Sequence, residues 1–307
     1  MKIEIYVPDI ECESCVKLIK KKFTLLQGLE SVVYNNDSII VDYDEALIKP
    51  DSIISVIQNL GFRASLEPFE RKNLKERIKH FSENKEKYEI EIRALLYTVY
   101  GFLVLLGLEA IAYFGFLNTM PNFLANYGWW LLYLNISIAA LGSGIWHIFS
   151  YRTKVTCMVG MMIGMTIGMQ TGMMIGAIIG ATNGFFIGAM TGMLLGVFVG
   201  VVVGKCCGIM GIMEGAMAGL MGGTMGPMIS LMMFADHLLW FMPFYIAVNV
   251  FILAGMSYMI LEELVEDKKD VQKAPIDFFS YASMIMIAAF VLIIIMLYSP
   301  HSVLITV

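Results

Sequence analysis

Thirteen glycines recur at strict four-residue intervals from Gly160 to Gly208. The run is mostly apolar, and the spacing places its glycines on one slowly turning face of a helix. As a single helix, residues 157–208 would measure roughly 78 Å at 1.5 Å per residue, far beyond a hydrocarbon core of about 30 Å. The segment is therefore expected to double back. Thr182-Asn183-Gly184 is its most turn-like step. The product is a hairpin of two helices whose backbones approach closely, because small residues at every fourth position are a packing mode of membrane helices.

Charge divides the chain. Residues 1–93 hold 15 of the 21 Lys and Arg, while residues 157–233 hold 19 of the 28 Gly and 17 of the 25 Met. Charged residues make up 15% of the whole, against about 25% in a soluble domain. This excludes an ordinary soluble protein, and the apolar excess excludes a disordered one. Five Cys are too few for a disulfide-stapled scaffold, and a net charge of -5 gives no reason to expect nucleic acid as a partner. The division predicts a head over 1–68, a charged helical linker over 69–93 with Leu74, Ile78 and Phe81 on one stripe, and a membrane domain over 94–307. The first long apolar run begins near Ala94, so no secretory signal is read and the head is expected in the cytoplasm.

Seven spans are predicted, near 94–117, 127–150, 157–181, 184–204, 208–233, 238–262 and 277–298. With the head inside, all 21 Lys and Arg fall on the inner side, as the positive-inside rule requires. A multi-pass cell-membrane protein surrounded by lipid follows.

Within the head, residues 2–8 alternate as a strand, 13–26 carry apolar residues at helical spacing, and LESVVYN and SIIVDYD read as paired strands. Pro50 to Leu60 reads as a second helix and Phe62 to Glu67 as a last strand. The order is βαββαβ, an α+β ferredoxin-like arrangement ahead of an all-α membrane domain. Cys12 and Cys15 fall at the first strand-to-helix corner, where two thiols three residues apart can close on one ion and a helix N-terminus favours thiolate. A single CxxC also suits redox chemistry.

The head resembles the heavy-metal-associated domain family. The matching residues are Cys12-Glu13-Ser14-Cys15, Gly28, Val41 to Asp44 and Gly61-Phe62-Arg63-Ala64, and the resemblance covers about residues 1–68. It implies a carried soft ion, copper(I) or a zinc-class metal, bound by Cys12 and Cys15, and exchange with a cytosolic metallochaperone. Copper-type members usually place Met two residues before the first Cys. This chain has Ile10 there and Glu11 next, an acidic neighbour suited to divalent ions.

The membrane domain adds its own soft ligands. Cys157, Met161, Met165, Met169 and Met173 form an i, i+4 series, and Met213, Met217, Met221 and Met225 a second. Thioethers select copper(I) over hard ions, although Met also serves as filler. If the hairpin turns about position 182.5, residue n faces 365 − n. Cys157 then lies level with Gly208 and beside Cys206 and Cys207, a three-thiol mouth next to Lys205. The vicinal pair resembles that of membrane mercury-transport proteins, and the Met and Gly spacing is similar to that of trimeric copper-uptake transporters, which keeps mercury(II) open and suggests a homo-oligomer. Glu214, amid Met210, Met213 and Met217, and Glu109 are ionisable groups at membrane depth and so functional candidates. Asp236 and His237 form a weaker outer candidate, and His147 reads as incidental.

These features predict a soft-metal transporter, copper(I) first, that passes its ion between the head and a path lined by Cys and Met along the glycine-packed helices. The alternative is a membrane-anchored metal chaperone or sensor. No Gly-rich Lys loop, Asp-Lys-Thr-Gly motif or haem-attachment motif is found, so no enzyme is expected. Uptake is expected over export, because an inside-negative potential favours cation entry by about 2.3 kcal/mol per 100 mV.

Overall fold

The computed structural model describes residues 2–7, 10, 13–24, 29–35, 38–44, 48, 50–60, 62, 64–66, 89–115, 123–151, 157–234, 236–262 and 277–300. The chain divides between residues 87 and 88 into a head and a helical unit.

In the head, β1 (Lys2–Tyr6), α1 (Glu13–Phe23), β2 (Leu29–Tyr34), β3 (Ser38–Tyr43) and α2 (Pro50–Asn59) follow in order. The sheet runs β1-β3-β2, both pairs antiparallel. Alternation decides which face is buried: Ile39, Val41 and Tyr43 point inward from β3, and Ile5 joins them from β1. Ile19 and Phe23 on α1 and Ile53 and Ile57 on α2, each pair four apart, close the same core. Each buried Ile contributes about 1.5–3 kcal/mol. The expected last strand, Phe62 to Glu67, is reduced to one antiparallel bridge between Ser65 and Tyr6, closed by a hydrogen bond in each direction. That bridge still lies on the free side of β1, so the ferredoxin-like order survives. Only residues 62 and 64–66 of the segment are described, and Phe62 and Ala64 are spent on the core. Of the expected linker, 69–88 lie outside the described residues, while 89–93 are the first turn of the next helix.

The helical unit is a multi-pass membrane domain. It contains α3 (Glu89–Gly115), α4 (Phe123–Phe149), α5 (Cys157–Asn183), α6 (Phe185–Gly204), α7 (Gly208–Met232), α8 (Leu238–Ile260) and α9 (Phe278–Tyr298). Six apolar stretches among the described residues are long enough to cross a membrane, close to the expected seven. The longest, Phe185–Met232, is bent by a 3-10 turn at Lys205–Cys207 into α6 and α7. Helix α4 packs against α3, α5, α8 and α9.

Helices α5, α6 and α7 pack against one another as a triad held by glycine. A Cβ on Gly164 would come within 2.9 Å of Gly204 Cα, and one on Gly168 within 2.8 Å of the Gly215 oxygen. One on Gly219 would fall onto the Gly196 carbonyl. Gly176 and Gly180 cradle Pro227 of α7. Two repeat glycines do a different job. Gly184 (φ 89, ψ 170) and Gly208 (φ 70, ψ −151) have nothing within 4 Å of a would-be Cβ, and they make the two reversals.

The hairpin pivots later than expected. Gly164 meets Gly204, Gly168 meets Gly200 and Gly180 meets Gly188, so residue n faces 368 − n rather than 365 − n. The pivot is Gly184 itself, because the reversal needs a positive φ and not merely the polar Thr182-Asn183. Both of those side chains are buried: Thr182 bonds its own helix and Asn183, and Asn183 Nδ2 donates to the Met296 and Ser299 carbonyls of the α9 end.

Candidate metal centre

The 3-10 turn brings Cys206 and Cys207 together. Their sulfurs are 3.5 Å apart and neither is in a disulfide. Two sulfurs each about 2.3 Å from one ion lie at most about 4.6 Å apart, so this pair can hold one ion between them. Gly160 is the floor beneath them. A Cβ there would come within 2.9 Å of Cys206 Sγ and fall onto Cys207 Sγ. Consecutive residues diverge by about 100–120° in helical turns, and it is the space left by the missing side chain of Gly160 that lets both thiols bend onto one face.

The later pivot changes the expected mouth. Cys157 lies three residues before Gly160, about one turn along α5 from the level of the pair. Its side chain lies outside the described residues, as do those of Cys12 and Cys15. Among the described residues no three His, Cys, Asp or Glu side chains are grouped to hold an ion.

The methionines separate into two sets. Met165, Met169 and Met173 line a cleft of about 370 Å³ between α5 and α8. Met161 lies half-buried one turn before them. Met210, Met213 and Met217 stand exposed on α7, with Glu214 half-buried among them. Between the glycine helices backbone lies against backbone. Soft ligands therefore lie around the triad and not along its axis.

Two polar clusters sit between α3 and α4. Asn135 Nδ2 donates to Glu109 Oε2 at 2.7 Å, so this intramembrane carboxyl is tied to a buried amide. At the other end of the helices, Tyr151 donates its hydroxyl to Glu91 Oε1, and His147 Nε2 lies 3.8 Å from the same oxygen. Burial first, and then the Glu91 carboxylate, push the Tyr151 phenol up. His147 is only 2% exposed and is not incidental. Its i, i+4 spacing to Tyr151 was the available signal, but the partner Glu91 is far away in sequence. Asp236 and His237 are both exposed, at the turn before α8.

The family model of the heavy-metal-associated domain matches residues 4–63. Residues 4–63 are a heavy-metal-associated domain. The chain is 36% identical over 66 residues to copper-transporting ATPase 2 of Homo sapiens and 38% identical over 66 residues to that of Rattus norvegicus. Each match takes in 21% of this chain and 4% of the relative, so the chain spans only a small part of the curated proteins it matches. No solved structure matches the chain. The expectation that the chain is no enzyme is corrected here. The relatives that share its heavy-metal-associated domain are ATPases, so a head of this kind occurs in enzymes, and a missing nucleotide motif does not define this chain as a non-enzyme.

Proposed function

We propose that this protein moves a soft heavy-metal ion across a membrane, with copper(I) as its cargo. The single observation that carries the reading is the Cys206–Cys207 pair seated on Gly160, in a chain whose head is a heavy-metal-associated domain. The head takes the ion at Cys12 and Cys15 and exchanges it with the pair, on the cytoplasmic side. Cys157 stands about one turn from the pair and supplies a third thiolate at this mouth. Met161, Met165, Met169 and Met173 pass the ion along α5, while Met210, Met213, Met217 and Glu214 offer a second, outer series on α7. The copper-transporting relatives support copper, as do the thioethers, which favour copper(I) over hard ions.

Proteoliposomes holding the full chain test this. Copper(I) accumulation is expected under an inside-negative potential, and its loss in the Cys206→Ser, Cys207→Ser double variant. No accumulation under any imposed gradient would overturn it.

The tight glycine interface favours one second reading, a membrane-anchored metal carrier that hands its ion to a partner. Under that reading the same liposomes bind the ion and do not accumulate it.

A further inference from the structure

The cleft between α5 and α8 has features that packing alone does not explain. Met165, Met169 and Met173, spaced i, i+4, i+8, form one wall of it. Gln170 shares that wall. It is 4% exposed, and among the described residues its Oε1 has no hydrogen-bond donor. The opposite wall brings Tyr245, whose buried hydroxyl makes no hydrogen bond of normal geometry, and Asn249. The Asn249 Nδ2 donates to the Tyr245 carbonyl at 2.7 Å and makes no bond to Gln170 Oε1. A carbonyl oxygen buried at membrane depth without a donor is costly, and a cation is the other partner such an oxygen accepts.

We propose that this cleft is an intramembrane site for one soft monovalent cation, held by the thioethers of Met169 and Met173, one turn apart, and capped by Gln170 and Tyr245, with Met165 at the far end of the same cleft. This deepens the transport reading and rests on it for the identity of the cargo. The ligand set selects by charge as well as softness. Thioethers prefer soft ions, and no lining residue carries a charge. Desolvation cost rises with the square of the charge, so a neutral, mostly apolar wall accepts one positive charge far more readily than two. Copper(I) and silver(I) fit the cleft. Mercury(II) and zinc do not, even where a thiolate pair binds them. The cleft also lies on the outer face of α5, where the tight glycine interface does not obstruct an ion.

Silver(I) titration of the full chain in nanodiscs tests the site, with all five Cys replaced by Ser so that thioethers are the remaining soft ligands. One silver(I) is expected to bind, with sulfur neighbours in X-ray absorption. Binding should fall at least tenfold in Met169→Leu with Met173→Leu and severalfold in Gln170→Leu, while mercury(II) should not compete. Should the Cys-free chain fail to fold, the two Met substitutions in the otherwise unchanged protein should lower total silver(I) stoichiometry by one. No silver(I) in the Cys-free protein overturns the site. So does binding that survives the α5 substitutions and is lost with Met213→Leu and Met217→Leu on α7. Liposome uptake that persists without cleft binding overturns this inference and leaves the transport reading standing. Cleft binding without uptake supports the site and removes the transport reading.

Discussion

The Cys207 sulfur occupies the space into which Gly160 would project a side chain. The glycine and the thiol pair therefore form one unit, and a methyl group on the floor must displace the sulfur above it. A thiol is the free end of a side chain, so the displacement is local. Gly160→Ala should leave the melting temperature nearly unchanged while weakening silver(I) at the pair about tenfold, or about 1.4 kcal/mol. Competition titration with a chelator of known affinity reads this. Unaltered affinity would show that the pair does not depend on its floor.

Inside the triad the same substitution meets backbone, which cannot step aside. Gly219→Ala places its methyl on the Gly196 carbonyl and should cost about 3 kcal/mol or more, above the gain in helix propensity. Gly107 of α3 is the control, since nothing lies within 4 Å of its would-be Cβ. Gly107→Ala should stabilise by up to about 1 kcal/mol. Reversible unfolding in bicelles compares them. Equal effects at the two sites would mean that the glycine contacts are looser than described.

Gly184 separates conformation from packing. Its φ of 89 with ψ of 170 is a region essentially reserved for glycine, and no neighbour touches its would-be Cβ. Gly184→Ala should therefore cost about 1–3 kcal/mol through the backbone alone. The same unfolding assay checks it, and a neutral result would mean that the reversal can take another geometry.

The head's core runs mainly through Ile5, Ile19, Ile39, Ile53 and Ile57, drawn from two strands and two helices, with only Ile10 and Val16 of it beside the two thiols in sequence. Its fold should be independent of the ion. Stripping metal with a thiol-competing chelator should leave the far-ultraviolet circular dichroism of the protein unchanged. Ile57→Ala should cost about 2–5 kcal/mol, seen as a lower unfolding midpoint of the head. Loss of head structure on chelation would show that the metal holds the fold.

How much the sequence disclosed depends on the distance over which each signal acts. Alternation in β3 and the i, i+4 pairs of the two head helices are local, and the structure follows them. The doubling back at Gly184 was legible from length alone. Its register was not, because a positive φ at one residue set it, and a three-residue change moved Cys157 away from the level of Cys206 and Cys207. The third helix of the triad was illegible for another reason. Gly222 lies against Met169 and Gly226 against Met173, so α7 runs alongside α5 in the same direction, whereas the expected hairpin paired only neighbours in the chain. His147 was passed over because Glu91, near the start of α3, has no local pattern that pairs it with the end of α4.

Helices that meet through long side chains can slide, as one rotamer is exchanged for another at each small step. The glycine triad has no rotamers at its centre to exchange, since carbonyl and Cα press directly on their counterparts. Around it, α8 leans on α5 through a cleft of methionine and tyrosine, and α9 is tied at its end through Asn183. A rocking motion of the outer helices would therefore turn on the glycine triad as its fixed fulcrum.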